Sequence, residues 1–225
     1  MPRLDIWLIQ TGQFSSRQAA KRAIKNGLVM VNGVKGKPST QVSEKDSIEI
    51  LGTDVDVPQG FLKLKELDKH LQDKLVCNPS TALDIGSSAG GFLTYLAEKG
   101  ANVIGIEVSE RFTEELTKIV DKYPQVSVIF EDAFNIDIEV ISDRNQLDII
   151  LIDVTTDPDG TLKLIEKFTP LLKEGGRMLA AFKTDPSSDN ISTLKDTISQ
   201  LGYSQIHEFV IDETRHEVHI TALYM

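Results

Sequence analysis

A chain of 225 residues with 40% hydrophobic content and a formal net charge of −10 is long enough to bury a full core in one large or two small domains. No apolar run approaches the ~20 residues that span a bilayer, and Met1-Pro2-Arg3-Leu4-Asp5 lacks the apolar stretch of a secretory signal, so a cytoplasmic location with no membrane partner is expected. The single cysteine, Cys77, excludes an internal disulfide and a cysteine-rich metal site and is expected as a small buried apolar side chain.

The charge is unevenly distributed. Residues 1–50 carry eight Lys/Arg against four acids, a net +4, whereas the remainder carries 16 against 30, a net −14. A small basic module joined to an acidic body implies a local phosphate-binding surface. In this module Leu4, Trp7 and Leu8 have helical spacing up to Gly12. Ser15 stands three residues before Gln18, as in a capping box, and a second helix from Ser16 closes at Asn26-Gly27. On it Arg17, Lys21 and Lys25 recur every four residues and share a face, with Arg22 beside them, while Ala20, Ala23 and Ile24 face the other way. Leu28 to Asn32 alternates like a strand, Asn32-Gly33 signals a tight turn, and Asp46 to Leu51 reads as another strand.

Three stretches, Arg3-Leu4-Asp5, Ser16-Arg17 with Ala20-Lys21, and Gly27 to Gly33, together resemble the S-four RNA-binding domain. The resemblance implies that Arg3, Arg17, Lys21, Arg22, Lys25, Asn32 and Lys35 contact RNA. Without it, Arg17, Lys21, Arg22 and Lys25 would read as a solvated helix face.

Gly52 to Gly60 is linker-like, with turn formers at both ends. The expected organisation is an RNA-binding domain over 1–51, a linker over 52–60 and a second domain over 61–225. Beyond the linker, helices are expected over 62–75, 90–99, 110–122, 160–173 and 189–201. They alternate with strands over 81–85, 102–108, 126–130, 147–153 and 176–183, and a closing pair lies near 205–212 and 216–224. Such alternation predicts an α/β fold with a mainly parallel sheet and helices on both faces.

Between the first strand and its helix lies Ala82-Leu-Asp84-Ile-Gly86-Ser-Ser88-Ala-Gly90-Gly91-Phe92. Glycines in a strand-to-helix turn let backbone approach a nucleotide cofactor, and the acid near the end of the second strand, Glu107, can accept both hydroxyls of a ribose. A helix that merely packs closely on a sheet uses similar glycines. The spacing Asp-x-Gly-x-x-x-Gly-Gly resembles the S-adenosylmethionine (SAM) loop of Rossmann-like methyltransferases. That resemblance implies a seven-stranded sheet with its last strand antiparallel. It also places Asp84, Gly86, Ser88, Gly90, Gly91, Phe92 and Asp153 around the cofactor, Glu107 on its ribose and Asp132 at its adenine amino group.

Four polar residues stand where an α/β sheet presents its ligand edge: Lys63 in the helix before the sheet, Asp153 and Lys183 at strand ends, and Glu217 at the start of the closing strand. Glu217 reaches that edge only if its strand runs antiparallel. In order and context the four resemble the Lys-Asp-Lys-Glu tetrad of FtsJ-like ribose 2′-O-methyltransferases. An S-four domain followed by this domain is similar to the haemolysin A (TlyA) family of rRNA cytidine 2′-O-methyltransferases. The resemblance implies ribosomal RNA or ribosomal subunits as partners, Lys183 as the base, Lys63 and Asp153 positioning hydroxyl and methyl groups, and Glu217 orienting the lysines. Lys183 feels opposing influences, since burial and Lys63 lower its pKa and the two acids raise it.

The chain departs from the family at Pro58-Gln59, at Val154-Thr-Thr-Asp157 after Asp153, and at Thr184-Asp-Pro-Ser-Ser after Lys183. Those loops would touch RNA. His70, His207, His216 and His219 form no metal set, and His216 and His219, on one expected strand, would point to opposite faces. A non-catalytic RNA-binding or ribosome-assembly factor that keeps the methyltransferase scaffold is the competing expectation, and no amphipathic or spanning segment favours a membrane-lytic one.

Overall fold

A computed structural model of the chain describes residues 1–14, 16–52, 56–72, 74–76, 80–185, 190–211 and 216–225. The cap expected of Ser15, the burial of Cys77, the middle of the linker, the loop from Pro186 and the Arg215 position lie outside the described residues. The chain divides into two compact units, 1–59 and 60–225.

The first unit contains α1 (Leu4–Gln10), α2 (Arg17–Lys25), β1 (Val29–Val31), β2 (Val34–Lys35) and β3 (Ile48–Ile50). Its antiparallel sheet has the order β2-β1-β3. Leu4 and Leu8 of α1, Ala19, Ala20, Ala23 and Ile24 of α2, and Phe14, Val29 and Val42 form its core. Ser16 is the N-cap of α2, its hydroxyl accepting from the Ala19 N–H at 3.2 Å, one residue later than the cap expected from sequence. The helix ends as its Asn-Gly signal predicts: Gly27 adopts φ +72°, and the Gly27 and Leu28 N–H groups donate to Ile24 and Ala23. Asn32 and Gly33 both have positive φ and join β1 to β2 in a two-residue hairpin, with Val31 opposite Val34.

The second unit begins one residue into α3 (Gln59–His70), which is followed by β4 (Thr81–Ile85), α4 (Gly91–Glu98), β5 (Asn102–Glu107), α5 (Thr113–Lys122), β6 (Val126–Phe130) and β7 (Leu147–Ile152). Then come α6 (Pro158–Phe168), β8 (Leu172–Phe182), α7 (Asn190–Gln200), β9 (Tyr203–Phe209) and β10 (Val218–Tyr224). The seven strands are ordered β6-β5-β4-β7-β8-β10-β9. The first five run parallel, and β10 lies antiparallel between β8 and β9. Because β4 pairs with β5 on one side and β7 on the other, the topological switch point falls beside β4, where open α/β sheets bind ligands. The central strands are buried on both faces, which explains the unbroken apolar run Ile149-Ile-Leu-Ile152.

Four elements differ most from expectation. The helix expected over 62–75 occupies Gln59–His70 instead, and the Asp68 carboxylate accepts the Leu75 N–H at 2.9 Å beyond its end. The helix expected to 173 stops at Phe168, because Pro170 cannot supply the next helical N–H, and Thr169–Leu171 tightens into a 3₁₀ turn. Strand β8 then begins four residues earlier than expected, at Leu172 rather than 176. Finally, β10 begins at Val218, so His216, exposed and at φ +47°, is not on the strand and the expected alternation with His219 does not apply.

Candidate active site

The loop after β4 is held by its own backbone. The N–H groups of Gly86 and Ser87 donate to the Ile106 carbonyl, and Gly90 N–H donates to Ser87 before α4 begins. Gly86 adopts φ +89°, and a Cβ there would stand 2.5 Å from the Asp153 carbonyl oxygen. A Cβ on Gly91 would meet the Phe61 nitrogen at 2.5 Å, so this glycine lets α3 and α4 approach backbone to backbone. Ser88, at φ +49°, donates its N–H to Oε2 of Glu107 at 2.7 Å, and Ser109 N–H donates to Oε1 at 2.7 Å. The acid expected at the ribose therefore also ties the loop after β4 to the loop after β5. Each of its oxygens retains a lone pair for a further donor.

Asp84 is fully buried, and neither carboxylate oxygen has a hydrogen-bond partner among the described residues. Burial, with Asp153 and Glu107 nearby, pushes its carboxyl up to about 7. Unfilled acceptors at the head of a glycine turn suit a cationic ligand group such as the ammonium of SAM, and the space a Cβ would occupy at Gly86 is closed by backbone, which keeps the turn tight. Asp132 caps its own turn, accepting from Phe134 N–H at 2.9 Å and Asn135 Nδ2 at 2.8 Å. Sequence reasoning missed Lys167 of α6, whose ammonium donates to the carbonyls of Ala133 at 3.0 Å and Phe134 at 2.9 Å and so pins the loop that carries Asp132. Nothing in the spacing of residues 132 and 167 signals that contact.

The structure brings Lys63, Asp153, Lys183 and Glu217 together. Lys63 comes from α3, Asp153 follows β7 with its N–H donating to Ile85 at 3.0 Å, and Lys183 follows β8. Antiparallel pairing of Val218 with Phe182 sets Glu217 beside Lys183. The four form a closed ring of alternating charge. Lys63 Nζ lies 2.7 Å from Asp153 Oδ2 and 2.6 Å from Glu217 Oε1, while Lys183 Nζ lies 3.1 Å from Asp153 Oδ1 and donates to Glu217 Oε2. Lys63 also stands 5.9 Å from the ring of buried Phe92.

Burial opposes ionisation of both acids, but the lysines and the hydrogen-bonding groups beside them prevail. Lys63 and Lys183 hold Asp153 below the usual carboxylate range. His219, Lys183 and Lys63 hold Glu217 well below it. Burial works against the Lys183 ammonium too, yet Asp153 and Glu217 outweigh it and raise its pKa. In the ligand-free protein Lys183 is therefore an ammonium at neutral pH.

In the first unit Arg3 and Arg17 each donate to the buried Asp5 carboxylate at 3.0 Å, and Lys21 lies 3.9 Å from it. Three of the expected RNA contacts thus converge on one acid. Arg22 instead donates to the Val57 carbonyl, and Asn32 bridges Asp46 and the Ser47 N–H at 2.8 Å. Lys35 runs over Gly27, while Lys25 stands exposed. Among the described residues no cluster of three or more His, Cys, Asp or Glu could hold a metal ion, and no helix is long and apolar enough to cross a membrane.

The sheet order and the glycine loop at its switch point define a Rossmann-like, SAM-dependent methyltransferase fold. Among solved structures, "Putative hemolysin from Streptococcus thermophilus" superposes with a TM-score of 0.62 at 19% identity, covering 100% of this chain and 88% of that one. Fibrillarin from Aeropyrum pernix, determined with bound SAM, gives a TM-score of 0.57 at 20% identity over 70% of this chain and 74% of that one. Residues 57–189 match the FtsJ-like methyltransferase family and residues 2–48 match the S4 domain, so the chain belongs to the FtsJ-like methyltransferases, whose cofactor is SAM. The two domains stand in the haemolysin A-type order expected from the sequence. The Bacillus subtilis (strain 168) protein "Putative rRNA methyltransferase YqxC" is 34% identical over 105 residues, which cover 44% of this chain and 35% of that protein. "Ribosomal RNA small subunit methyltransferase A" of Phenylobacterium zucineum (strain HLK1) is 35% identical over 60 residues, 27% of this chain and 21% of that protein. The chain thus spans about a third or less of the length of these curated relatives.

Proposed function

We propose that this protein transfers the methyl group of SAM to a ribose 2′-hydroxyl of ribosomal RNA, on a cytidine, with the N-terminal unit gripping the RNA. The observation that carries the reading is the closed Lys63–Asp153–Lys183–Glu217 ring beside the glycine loop. SAM, when bound, supplies an electrophilic methyl on a positively charged sulfur. As the new O–C bond forms and the S–C bond breaks, the hydroxyl proton must leave, and Lys183 Nζ in its neutral form is the group that takes it. Lys63 and Asp153 hold the hydroxyl and methyl in line, and Glu217 fixes both lysines. Alignment supplies much of the acceleration. Asp84, Gly86, Ser88, Gly90, Gly91 and Phe92 cradle the cofactor, with Glu107 at its ribose and Asp132 at its adenine.

The raised Lys183 pKa sets the sign of the pH dependence. The free enzyme holds the proton, so kcat/KM should climb with a slope of about one from neutral into alkaline pH as the neutral amine becomes more abundant. Glu217→Gln removes one of the acids that raise this pKa, and its rising limb should lie at lower pH even as its maximal rate falls. A flat wild-type profile between about pH 7 and 9.5 would remove Lys183 as the base and leave alignment alone.

For the N-terminal unit, Lys21→Glu combined with Lys25→Glu should weaken RNA binding and flatten the plot of log affinity against log salt by roughly one to two units. An unchanged slope would return both lysines to a solvated helix face. The reaction itself is tested by transfer of labelled methyl to total rRNA and to isolated subunits, followed by mapping of alkali-resistant linkages. Label at a ribose upholds the proposal, and label on a base refutes the 2′-hydroxyl assignment. One observation favours the competing assembly-factor reading: the Glu107 and Asp132 carboxylates already accept donors from the protein, Glu107 from Ser88 and Ser109 and Asp132 from Phe134 and Asn135. Absence of SAM binding by calorimetry would support it.

A further inference from the structure

Two buried side chains among the described residues carry polar atoms without a well-formed hydrogen bond, Asp84 and His219. Asp84 belongs to the cofactor cradle. Beyond helping to hold the Glu217 carboxyl down, His219 has no role in the reading above, and the sequence pattern gave it none.

His219 lies on β10 two residues beyond Glu217. Glu217 stands just before the strand, and the approach of the two side chains to 3.0 Å puts them on the same side of the sheet. Antiparallel pairing sets His219 opposite Ala181 of β8 and Phe209 of β9, and its side chain is closed off from water. Its Nε2 stands 3.0 Å from Oε1 of Glu217, the same oxygen that takes Lys63 at 2.6 Å. That distance is one of a hydrogen bond, although the ring is not yet aligned for one. Buried polar atoms in folded proteins nearly always find partners, and this carboxylate is within reach.

We infer that His219 is a positioning residue of the tetrad, donating its Nε2–H to Glu217 so that the carboxylate stays turned with one oxygen toward each lysine. The inference rests on the reading of the four-residue ring as the reaction centre. A glutamate side chain rotates about three bonds. Lys63 and His219 on Oε1 fix that rotation and leave Oε2 directed at Lys183. Loss of the histidine donor would let Glu217 swing and would loosen the amine that must meet the 2′-hydroxyl, without touching the cofactor loop.

The test has two arms. Nitrogen chemical shifts of the His219 ring, measured by NMR in the wild type and in Glu217→Gln, report which nitrogen carries the proton. A protonated Nε2 whose shift moves in the variant is expected, whereas an Nδ1–H tautomer with a bare Nε2 overturns the inference. In the kinetic arm His219→Leu keeps bulk without a donor, and His219→Gln keeps an N–H near the position of Nε2. Their folding is checked by thermal unfolding. The expected result is a fall in kcat of about ten- to a hundredfold for His219→Leu at unchanged KM for SAM, with His219→Gln recovering to within a few-fold of wild type. Equal rates for the two folded variants would make His219 a core filler and overturn the inference. Should the wild type transfer no methyl to ribose, the proposed function falls, and the tautomer alone decides whether His219 holds Glu217. Should His219→Leu fail to fold, a depressed kcat in His219→Gln beside an Nδ1–H tautomer would overturn the inference, and wild-type-like kcat beside a protonated Nε2 would uphold it.

Discussion

Lys183→Ala is expected to lower methyl transfer by about a hundred- to ten-thousand-fold, the range over which a positioned proton acceptor contributes. SAM affinity should change little, because the loop from Asp84 to Phe92 and the Glu107 clamp lie on other elements. The substitution leaves Asp153 and Glu217 facing Lys63 alone, so the ring changes from neutral to singly negative, which if anything favours a cationic cofactor. Lys183→Arg separates two explanations of the loss. A guanidinium keeps the positive charge between the two acids but does not give up its proton near neutral pH. An inactive Lys183→Arg that still binds SAM and unfolds like wild type would identify proton transfer as the missing step. If Lys183→Arg retained most of the rate, the residue would serve through its charge alone. Single-turnover rates with saturating SAM, alongside calorimetric SAM binding, measure both quantities.

Gly86→Ala is expected to cost about 2–5 kcal/mol of stability and to impair SAM binding and catalysis together. The backbone there sits at φ +89°, where a residue with a Cβ is strained, and that Cβ would meet the Asp153 carbonyl oxygen at 2.5 Å. Neither obstacle can be relieved by a side-chain rotation, since the obstructing atom is main chain. Relief must come from moving the β4 or β7 strand end, and the latter carries Asp153 away from Lys63 and Lys183. Gly175→Ala is the matched control, with φ +75° but open space around the new methyl, so it should show only the backbone part, about 1 kcal/mol. Denaturant midpoints of the two variants give the comparison. Equal losses would mean that the close approach at Gly86 relaxes freely and that the loop after β4 is not mechanically tied to the tetrad.

Much of the architecture was legible because its signals are local. The strand that carries Asp84, the glycines after it and the Asn32-Gly33 turn each specify backbone geometry within a few residues, and the structure follows them. The Asn26-Gly27 stop did the same for α2. Where the outcome depended on competition between elements, the reading slipped. Ser16 and Ser15 are chemically alike as caps, and only the fold selected Ser16. Pro170 ended α6 earlier than its apolar spacing implied, which let β8 start at Leu172. In the candidate site the tetrad was legible as a set of positions, but its closure into a ring depended on the register between β8 and β10, a pairing of residues far apart in sequence. Lys167 on the Ala133 and Phe134 carbonyls and His219 beside Glu217 carried no pattern at all, because a lone cation on a helix or a lone imidazole on a strand is common and acquires meaning only through its neighbours. The direction of the Lys183 shift was likewise out of reach, since it is the balance of a burial effect against two charges whose distances the sequence does not contain.

The position of β10 bears on the order in which the molecule is made. It lies between β8 and β9 yet follows both along the chain. While the polypeptide emerges from the ribosome, β8 therefore has an unpaired edge and β9 has no strand partner until β10 appears. Lys63, Asp153 and Lys183 are already present by then, and Glu217 arrives with the strand that fills the gap. A nascent chain can thus shape its cofactor loop well before the fourth member of the ring exists. Any methyl donor captured early would meet two lysines and one acid, a centre with the wrong charge, until the last lane of the sheet closes.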